Sequence, residues 1–325
     1  VYVAGGQQAK PADLAILFSN GWLAKFLPSG EKQWEVTWQP TELYESTATS
    51  LAVLPDATGA ESLVALSSIY GEADRARLRR FATDGSARDD VKLEPELTRV
   101  RAATGTSLLT TGSELIEERA GRPFTQLLVA GVENTTIDWR QNVVGSDGSI
   151  SAAYDAVAAD ENFYYLAGSR GNASDSNASD ALIAAGSPSE GIAWQAVPVA
   201  GGGNGRAVSV DALDDGVLVA GTGEHSFVSK FDRSGAEVWA RELDRYPSVV
   251  RVAPHGYLVG YQGSESGSTP LDPLRLDYFS STGSLRWRLT DSSCNRVADM
   301  TVAGTVLYVL ESCGFKFRLE RYELN

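Results

Sequence analysis

Few side chains in this sequence are suited to bond-making chemistry. It holds two histidines, His225 and His255, and two cysteines, Cys294 and Cys313. His225 precedes a β-rich run and His255 sits in Pro254-His255-Gly256, so both read as turn residues. There is no histidine cluster, no His-Glu-x-x-His and no Cys-x-x-Cys, which argues against zinc or haem held by their usual ligands. No Gly-x-Ser-x-Gly elbow stands between a strand and a helix, which argues against a triad hydrolase.

Oxygen ligands are more plentiful. Asn172-Ala-Ser-Asp175-Ser-Asn177-Ala-Ser-Asp180 is a polar insertion with the look of a calcium loop, with Asp175, Asn177 and Asp180 as candidate ligands. The central glycine and terminal glutamate of the full pattern are missing, and a solvated loop is the better reading. No cofactor is expected, calcium being the one candidate. Six further charges fall in stretches that read as innermost strands of a repeat: Arg101, Asp155, Asp211, Arg251, Arg296 and Asp299. Alternating charge around one mouth suits a polar ligand such as a sugar or a carboxylate. The competing reading is that these charges satisfy one another and hold neighbouring units in register. Trp22, Trp38, Tyr44, Tyr70, Tyr246 and Tyr261 are the aromatic candidates for stacking on a sugar, although Trp22 matches Phe227 in the repeat and so points to the core.

The elements that position these residues follow from an internal repeat. Trp22-Leu-Ala-Lys25-Phe26-Leu-Pro-Ser29-Gly30-x3-Trp34 matches Phe227-Val-Ser-Lys230-Phe231-Asp-Arg-Ser234-Gly235-x3-Trp239, every position 205 residues on and without a gap. Tyr278-Phe279-x2-Thr282-Gly283-x3-Trp287 is a third copy, and Arg80-Phe81-x2-Asp84-Gly85 a degenerate fourth with Asp89 at the tryptophan position. Trp139 and Trp194 close two more, and a last copy begins at Arg321-Tyr322. The tryptophan positions are about 50 residues apart, the length of a large propeller blade.

Runs such as Val217-Leu-Val-Ala-Gly221, Tyr164-Tyr-Leu-Ala-Gly168 and Tyr257-Leu-Val-Gly260 supply the other strands. In the fifth unit four strands are expected at about 206–214, 217–222, 226–232 and 236–243. The motif glycine ends a tight hairpin where a positive φ is needed, and the tryptophan four residues on covers the gap to a neighbouring unit. Asn20-Gly21 predicts a type I′ turn between the second and third strands of the first unit. Val1–Gly5 is expected as the first strand of that unit, the alternative being the missing outer strand of the seventh. The expected architecture is all-β: a single β-propeller of seven blades, mostly of four antiparallel strands. Its blades fall at about 1–40, 48–95, 97–145, 150–200, 205–244, 246–290 and 295–325.

The Val-x-Val-Ala-Gly strand and the aromatic-x2-Lys-Phe-x2-Ser-Gly-x3-Trp hairpin resemble the repeats of propellers with PQQ-like or SBBP-type blades. The resemblance covers nearly the whole chain and implies the blade, not the activity. Propellers of this kind include quinoprotein dehydrogenases, assembly scaffolds, lectins and polysaccharide-active enzymes. Many of the dehydrogenases carry an adjacent cysteine pair, whereas the cysteines here are 19 residues apart.

Cys294 and Cys313 flank Ala303-Gly304. A two-residue turn there pairs residues whose numbers sum to 607, as these do, so a disulfide is expected. It implies an extracellular or periplasmic location. With 28 basic and 42 acidic side chains the net charge is −14, which argues against nucleic acid and anionic membranes as partners. No apolar run reaches the ~18 residues of a spanning helix. The expected function is a non-catalytic binding or scaffold domain, monomeric and part of a larger secreted protein, presenting loops to a protein or a glycan. The alternatives are a polysaccharide-active enzyme with acids and arginine at the channel mouth, and an accessory domain of a redox protein.

Overall fold

The structure, a computed structural model, describes residues 1–9, 18–38, 46–55, 60–69, 76–92, 97–104, 107–119, 122–133, 136–143, 151–160, 163–171, 179–201, 203–263, 273–313 and 316–324. The chain forms two compact units. One comprises Val1–Val144 with Asp160–Asn162 and the other Gly145–Ala159 with Phe163–Asn325.

In the first unit, β1 (Tyr2–Ala9), β2 (Phe18–Phe26) and β3 (Lys32–Trp38) form a three-stranded sheet. The second sheet is β4 (Ser46–Pro55), β5 (Glu61–Ile69), β6 (Ala76–Ala82) and β7 (Ala87–Lys92). The third is β8 (Leu97–Thr104), β9 (Ser107–Arg119), β10 (Arg122–Glu133) and β11 (Thr136–Val143). In the other unit, the fourth sheet is β12 (Ser151–Asp160), β13 (Phe163–Gly171), β14 (Ser179–Ser187) and β15 (Gly191–Ala196). A short 3-10 turn at Val199–Gly201 leads to the fifth: β16 (Arg206–Leu213), β17 (Gly216–Thr222), β18 (Ser226–Asp232) and β19 (Glu237–Leu243). The sixth is β20 (Pro247–Ala253), β21 (Gly256–Tyr261), β22 (Leu274–Ser280) and β23 (Leu285–Asp291), and the seventh β24 (Arg296–Ala303), β25 (Val306–Cys313) and β26 (Lys316–Glu323). Among the described residues, no helix is long and apolar enough to cross a membrane.

The unbroken apolar runs are explained by burial on both faces of a strand. In β17, Val217 and Val219 pack with Tyr165 and Ile183 of the fourth sheet. The alternate residues Leu218 and Ala220 pack with Val250 and Tyr257 of the sixth. The repeat motif fixes the edges of these layers. Gly30, Gly85, Gly235 and Gly283 all have φ between 85° and 88°, as the hairpin between third and fourth strands requires. One extra residue then bulges before the tryptophan: Lys230 faces Trp239 while Phe231 faces Glu237, and the same shift recurs at Lys25/Phe26, Arg80/Phe81, Ala185/Gly186 and Tyr278/Phe279. The indole of Trp34 donates to the carbonyl of Thr83 (3.1 Å), and that of Trp194 to the carbonyl of Arg233 (2.9 Å), each in the turn of the following sheet.

Four expectations from the sequence need correction. Asn20-Gly21 is no turn: both residues lie inside β2, opposite Gln7 and Gly6. Gly21 is needed because Trp38 lies against it, and a Cβ there would meet the indole at 2.0 Å. Val1–Gly5 lies in the first sheet as the inner edge of its described strands, on the far side of β2 from β3, but in the repeat it does not match a first strand. Gly5 faces Trp22 as Gly221 faces Phe227, so β1 is the counterpart of β17, the second strand of its sheet.

Finally, β24 and β25 turn at Gly304-Thr305, with Ala303 facing Val306, and Ala298 bulges, so facing numbers sum to 609 and then 608, not 607. Gly304, with φ of 60°, takes the first central position that a type II′ hairpin reserves for glycine. The disulfide forms nonetheless, with Cα atoms 4.0 Å apart. Trp22 also differs from buried Phe227: it is half-buried and donates to Glu35 at 3.2 Å.

Gly30 and Gly235 separate the two demands on the motif glycine. Both have φ of 87°, but nothing lies within 4 Å of a Cβ at Gly30, whereas one at Gly235 would meet Trp194 at 2.6 Å. Gly30→Ala is expected to cost about 1 kcal/mol of backbone strain. Gly235→Ala should cost a further ~1–3 kcal/mol from the clash. Urea unfolding of the two variants checks this, and equal losses would show that Trp194 does not constrain the turn.

Candidate functional site

Four of the six charges singled out in the sequence meet on the innermost strands of the second unit. Asp155 of β12, buried, accepts from the Ser209 hydroxyl (3.0 Å) and the Val210 amide (3.1 Å) of β16. Ser209 in turn accepts from the Val250 amide of β20 (3.2 Å), and Asp211 from the Val252 amide (2.6 Å). Arg251 crosses to β24, donating to the carbonyl of Met300 (3.0 Å) and to Asp299 (2.8 Å). Bulges at Val208, Ser248 and Ala298 displace these strands in the same place, which aims the polar side chains at the following sheet. Burial raises the pKa of Asp211. For Arg251 burial works the other way, but the carboxylates of Asp299, Asp155 and Asp211 outweigh it and leave its pKa raised. The arrangement ties each sheet to the next through backbone amides.

The remaining candidates lie elsewhere. Arg296 is exposed at the start of β24, opposite Ser312. Arg101 belongs to β8, and its side chain lies outside the described residues. Asp175 and Asn177 also lie outside them. Asp180 is not in a loop, since β14 begins at Ser179 and Asp180 faces Arg170 within the sheet.

A second constellation, missed in the sequence, occupies one end of the sixth and seventh sheets. Strand order puts the first-to-second-strand and third-to-fourth-strand turns of a sheet, the motif-glycine hairpins among them, at one end. The second-to-third-strand loops and the sheet-to-sheet links fall at the other, including the described segments 197–201, 203–205, 223–225, 244–246 and 292–295. At that loop-bearing end Arg275 of β22 reaches back to the preceding sheet, its Nη1 contacting both oxygens of Asp244 at 2.7 and 2.8 Å. Its other side donates to fully buried Asp277 (3.0 Å from Nε), and it lies over Tyr261, 4.6 Å from the ring centre. Arg288 donates to Asp277 as well (2.8 Å).

Arg318 repeats the arrangement one sheet on. It pairs with Asp291 of β23 and with buried Glu311, whose Oε2 accepts from Arg318 Nε at 2.7 Å and lies 3.6 Å from the sulfur of Cys294. Burial raises the Glu311 pKa despite Arg318. The sequence does carry a signal for this pair, because each arginine stands four residues before the hairpin aromatic, Phe279 or Tyr322.

The same end carries a cleft of about 330 Å³ lined by Val199, Ala200, Glu224, His225, Ala240 and Glu242. It also carries the three most exposed large apolar side chains among the described residues: Val199 at 85%, Tyr246 at 66% and Phe317 at 62%. Tyr246 is among the aromatic candidates of the sequence, but nothing in composition or spacing marks Val199 and Phe317, since exposure depends on which end of a strand a residue occupies.

No family model matches the chain, and no curated protein does. Solved structures are similar in fold. Raptor from Chaetomium thermophilum matches at 12% identity with a TM-score of 0.64, over 95% of this chain and 26% of its own, so this chain spans about a quarter of it. BBS1N, in complex with ARL6DN, matches at 11% with a TM-score of 0.57, over 94% of this chain and 88% of its own. The C-terminal WD40 domain of Sif2 matches at 13% with a TM-score of 0.53, over 95% and 94%. Together with the consecutive antiparallel sheets, these matches show a β-propeller fold.

The arginine pairs make acid stability predictable. Hydrogen bonds from Arg275 hold Asp244 below the usual carboxylate range, and those from Arg318 hold Asp291 down at about 2. For Asp277 burial opposes the shift, but hydrogen bonds from Arg275 and Arg288 win and its pKa is lowered. Depressed folded pKa values stabilise above the unfolded pKa of about 4 and lose that contribution as pH falls through the folded value. Stability should therefore drop between about pH 4 and pH 2. Asp277→Asn should cost about 3 kcal/mol at pH 6, because it leaves two arginines uncompensated. The gap to wild type should narrow on acidification, and urea midpoints at both pH values that show an unchanged gap would refute the pairing.

Proposed function

We propose that this chain is a non-catalytic binding or scaffold propeller that presents its loop-bearing end to a protein partner. The observation that carries the reading is the exposure of Val199, Tyr246 and Phe317 on that one end. Large apolar side chains left in water on a rigid frame suit a partner surface, and aromatic residues are the usual anchors. The internal charges, by contrast, are taken up in tying sheet to sheet. BBS1N, similar in fold, is a chain bound to another protein, which supports a protein as the ligand class. The reading extends to seven blades of the PQQ-like kind and to an extracellular or periplasmic location. Support for the blades comes from the seven described sheets and the Val-Ala-Gly strands at Gly5 and Gly221. Support for the location comes from the Cys294–Cys313 disulfide, a bond that persists in oxidising compartments.

The test compares two ends of the same sheets. The immobilised chain is used to capture partners from an extract of its source, alongside a Val199→Ser/Tyr246→Ala/Phe317→Ala variant and a Val238→Ser/Leu285→Ser variant. The latter pair is exposed too, but beside the tight turns. The first variant should weaken capture by at least about tenfold, as loss of an aromatic anchor does. The second should leave capture within about twofold of wild type. Equal losses, or loss only in the second, would overturn the assignment of the loop-bearing end.

A further inference from the structure

The arginine of the sixth and seventh sheets has a counterpart in the second. Arg77 stands four residues before Phe81, as Arg275 stands before Phe279 and Arg318 before Tyr322. Two residues on, the sixth sheet has Asp277, facing Arg288 across the pair of strands. The second sheet has the signs exchanged there, with Arg79 facing Asp90.

The exchange upsets the balance of charge. In the sixth sheet Arg275 and Arg288 are matched by Asp244 and Asp277. In the second, Arg77 (3.1 Å) and Arg79 (3.2 Å) share the single carboxylate oxygen Oδ2 of Asp90. The 205-residue offset that relates the first and fifth copies of the repeat matches Gln39 in sequence to Asp244. Among the described residues, one positive charge is left over at this corner.

The leftover charge is buried and has free donors. Arg79 is 8% exposed, and its Nη1 has no hydrogen-bond partner. Its guanidinium lies over Trp38, 5.2 Å from the ring centre, and the Trp38 Nε1 is a second buried donor without a partner. A buried guanidinium with an unmet N–H is costly unless an acceptor reaches it. The environment acts on the two sites in opposite directions. Burial lowers the Arg79 pKa, whereas the carboxylates around Arg275 overcome burial and raise it. Trp38 ends β3 and Arg77 is the second residue of β6, so the corner lies at the loop-bearing end of its sheets, with the Arg77 side chain 27% exposed.

We propose that the corner formed by Arg77, Arg79 and Trp38 binds a carboxylate supplied by an acidic side chain of a protein partner. The choice of carboxylate comes from the counterpart site, where Arg275 holds both oxygens of Asp244. The partner as its source rests on the reading that the loop-bearing end meets proteins. Binding completes at this sheet the charge pairing that the sixth sheet completes within the chain.

The experiment uses the purified chain with N-acetyl-tetraglutamate amide as the probe, against inorganic phosphate and sodium chloride at equal ionic strength. Melting temperature and tryptophan fluorescence are the readouts. The peptide should raise the melting temperature and alter the fluorescence in a saturable way, more than phosphate does and with no response to chloride. Arg77→Gln should weaken the peptide response by about tenfold. Asp90→Asn works in the opposite direction: it removes the competing internal carboxylate, so the variant should be less stable in chloride and regain stability with the peptide. If Asp90→Asn does not fold at all, the Arg77→Gln comparison decides alone.

A wild-type response to peptide no larger than to chloride overturns the proposal. So does a response to phosphate as strong as to the peptide, or an Asp90→Asn variant that folds and is not rescued. The readout is direct binding by the isolated chain. A negative result therefore leaves the loop-end reading standing, and failure of partner capture leaves this corner standing.

Discussion

Packing of an outer-strand indole onto the glycine turn of the next sheet is the constraint on which the other features depend. At Gly235 it excludes a Cβ twice, through a φ of 87° and through the ring of Trp194 at 2.6 Å. One residue bulges ahead of the ring, and the register shift recurs at the same place in five sheets, four with tryptophan there and one with Asp89. The backbone carbonyls of Thr83 and Arg233 then accept from the indoles, so the contact fixes position as well as burying area. One end of the sheets is held this way. Connections at the other end are free to differ in length and chemistry, and they do, from two residues between β25 and β26 to twelve between β21 and β22.

The inner strands obey a related logic in polar form. A strand that lacks a partner beyond it has no ladder to fix its distance from the next sheet. Asp155, Ser209, Asp211 and Arg251 supply that tie by bonding backbone groups one sheet on. Bonds of a charged group to backbone amides are stronger than neutral ones and are directional. They hold side chains that might otherwise serve a ligand, and this shifts attention from the strands to the loop-bearing end.

The repeat made most of the fold legible. In the fifth sheet the expected strands and Arg206–Leu213, Gly216–Thr222, Ser226–Asp232 and Glu237–Leu243 differ by at most one residue at either end. What escaped was whatever a single residue decides. A bulge has no composition of its own, so the extra Ala298 that moves the pairing of β24 with β25 could not be read, while the cysteines still met. Asn20-Gly21 looked like a turn because a strand glycine made room for Trp38 instead. The place of β1 was legible and overlooked, for Val3-Ala4-Gly5 already matches Val219-Ala220-Gly221. The arginine four residues before the hairpin aromatic was legible in the same way. It becomes meaningful only once the structure shows that this position reaches the end of the preceding sheet's outer strand, at Asp291, or the residue just after it, at Asp244.

Repeated positions also show what a site tolerates. Arginine is kept at Arg77, Arg275 and Arg318, but its surroundings are rebuilt each time: Asp277 beside Arg275, Glu311 beside Arg318, and the exchanged pair Arg79–Asp90 beside Arg77. An exchange of sign across two facing strands leaves their mutual attraction unchanged, so the sheet itself is indifferent to it. It is not neutral for the fixed arginine, whose neighbour two residues on changes from an attracting carboxylate to a repelling guanidinium. The same fold thus yields one corner in which charge closes on itself around buried Asp277, and another in which it leaves an open demand beside Trp38. A repeat can acquire specificity in this way without any change of backbone.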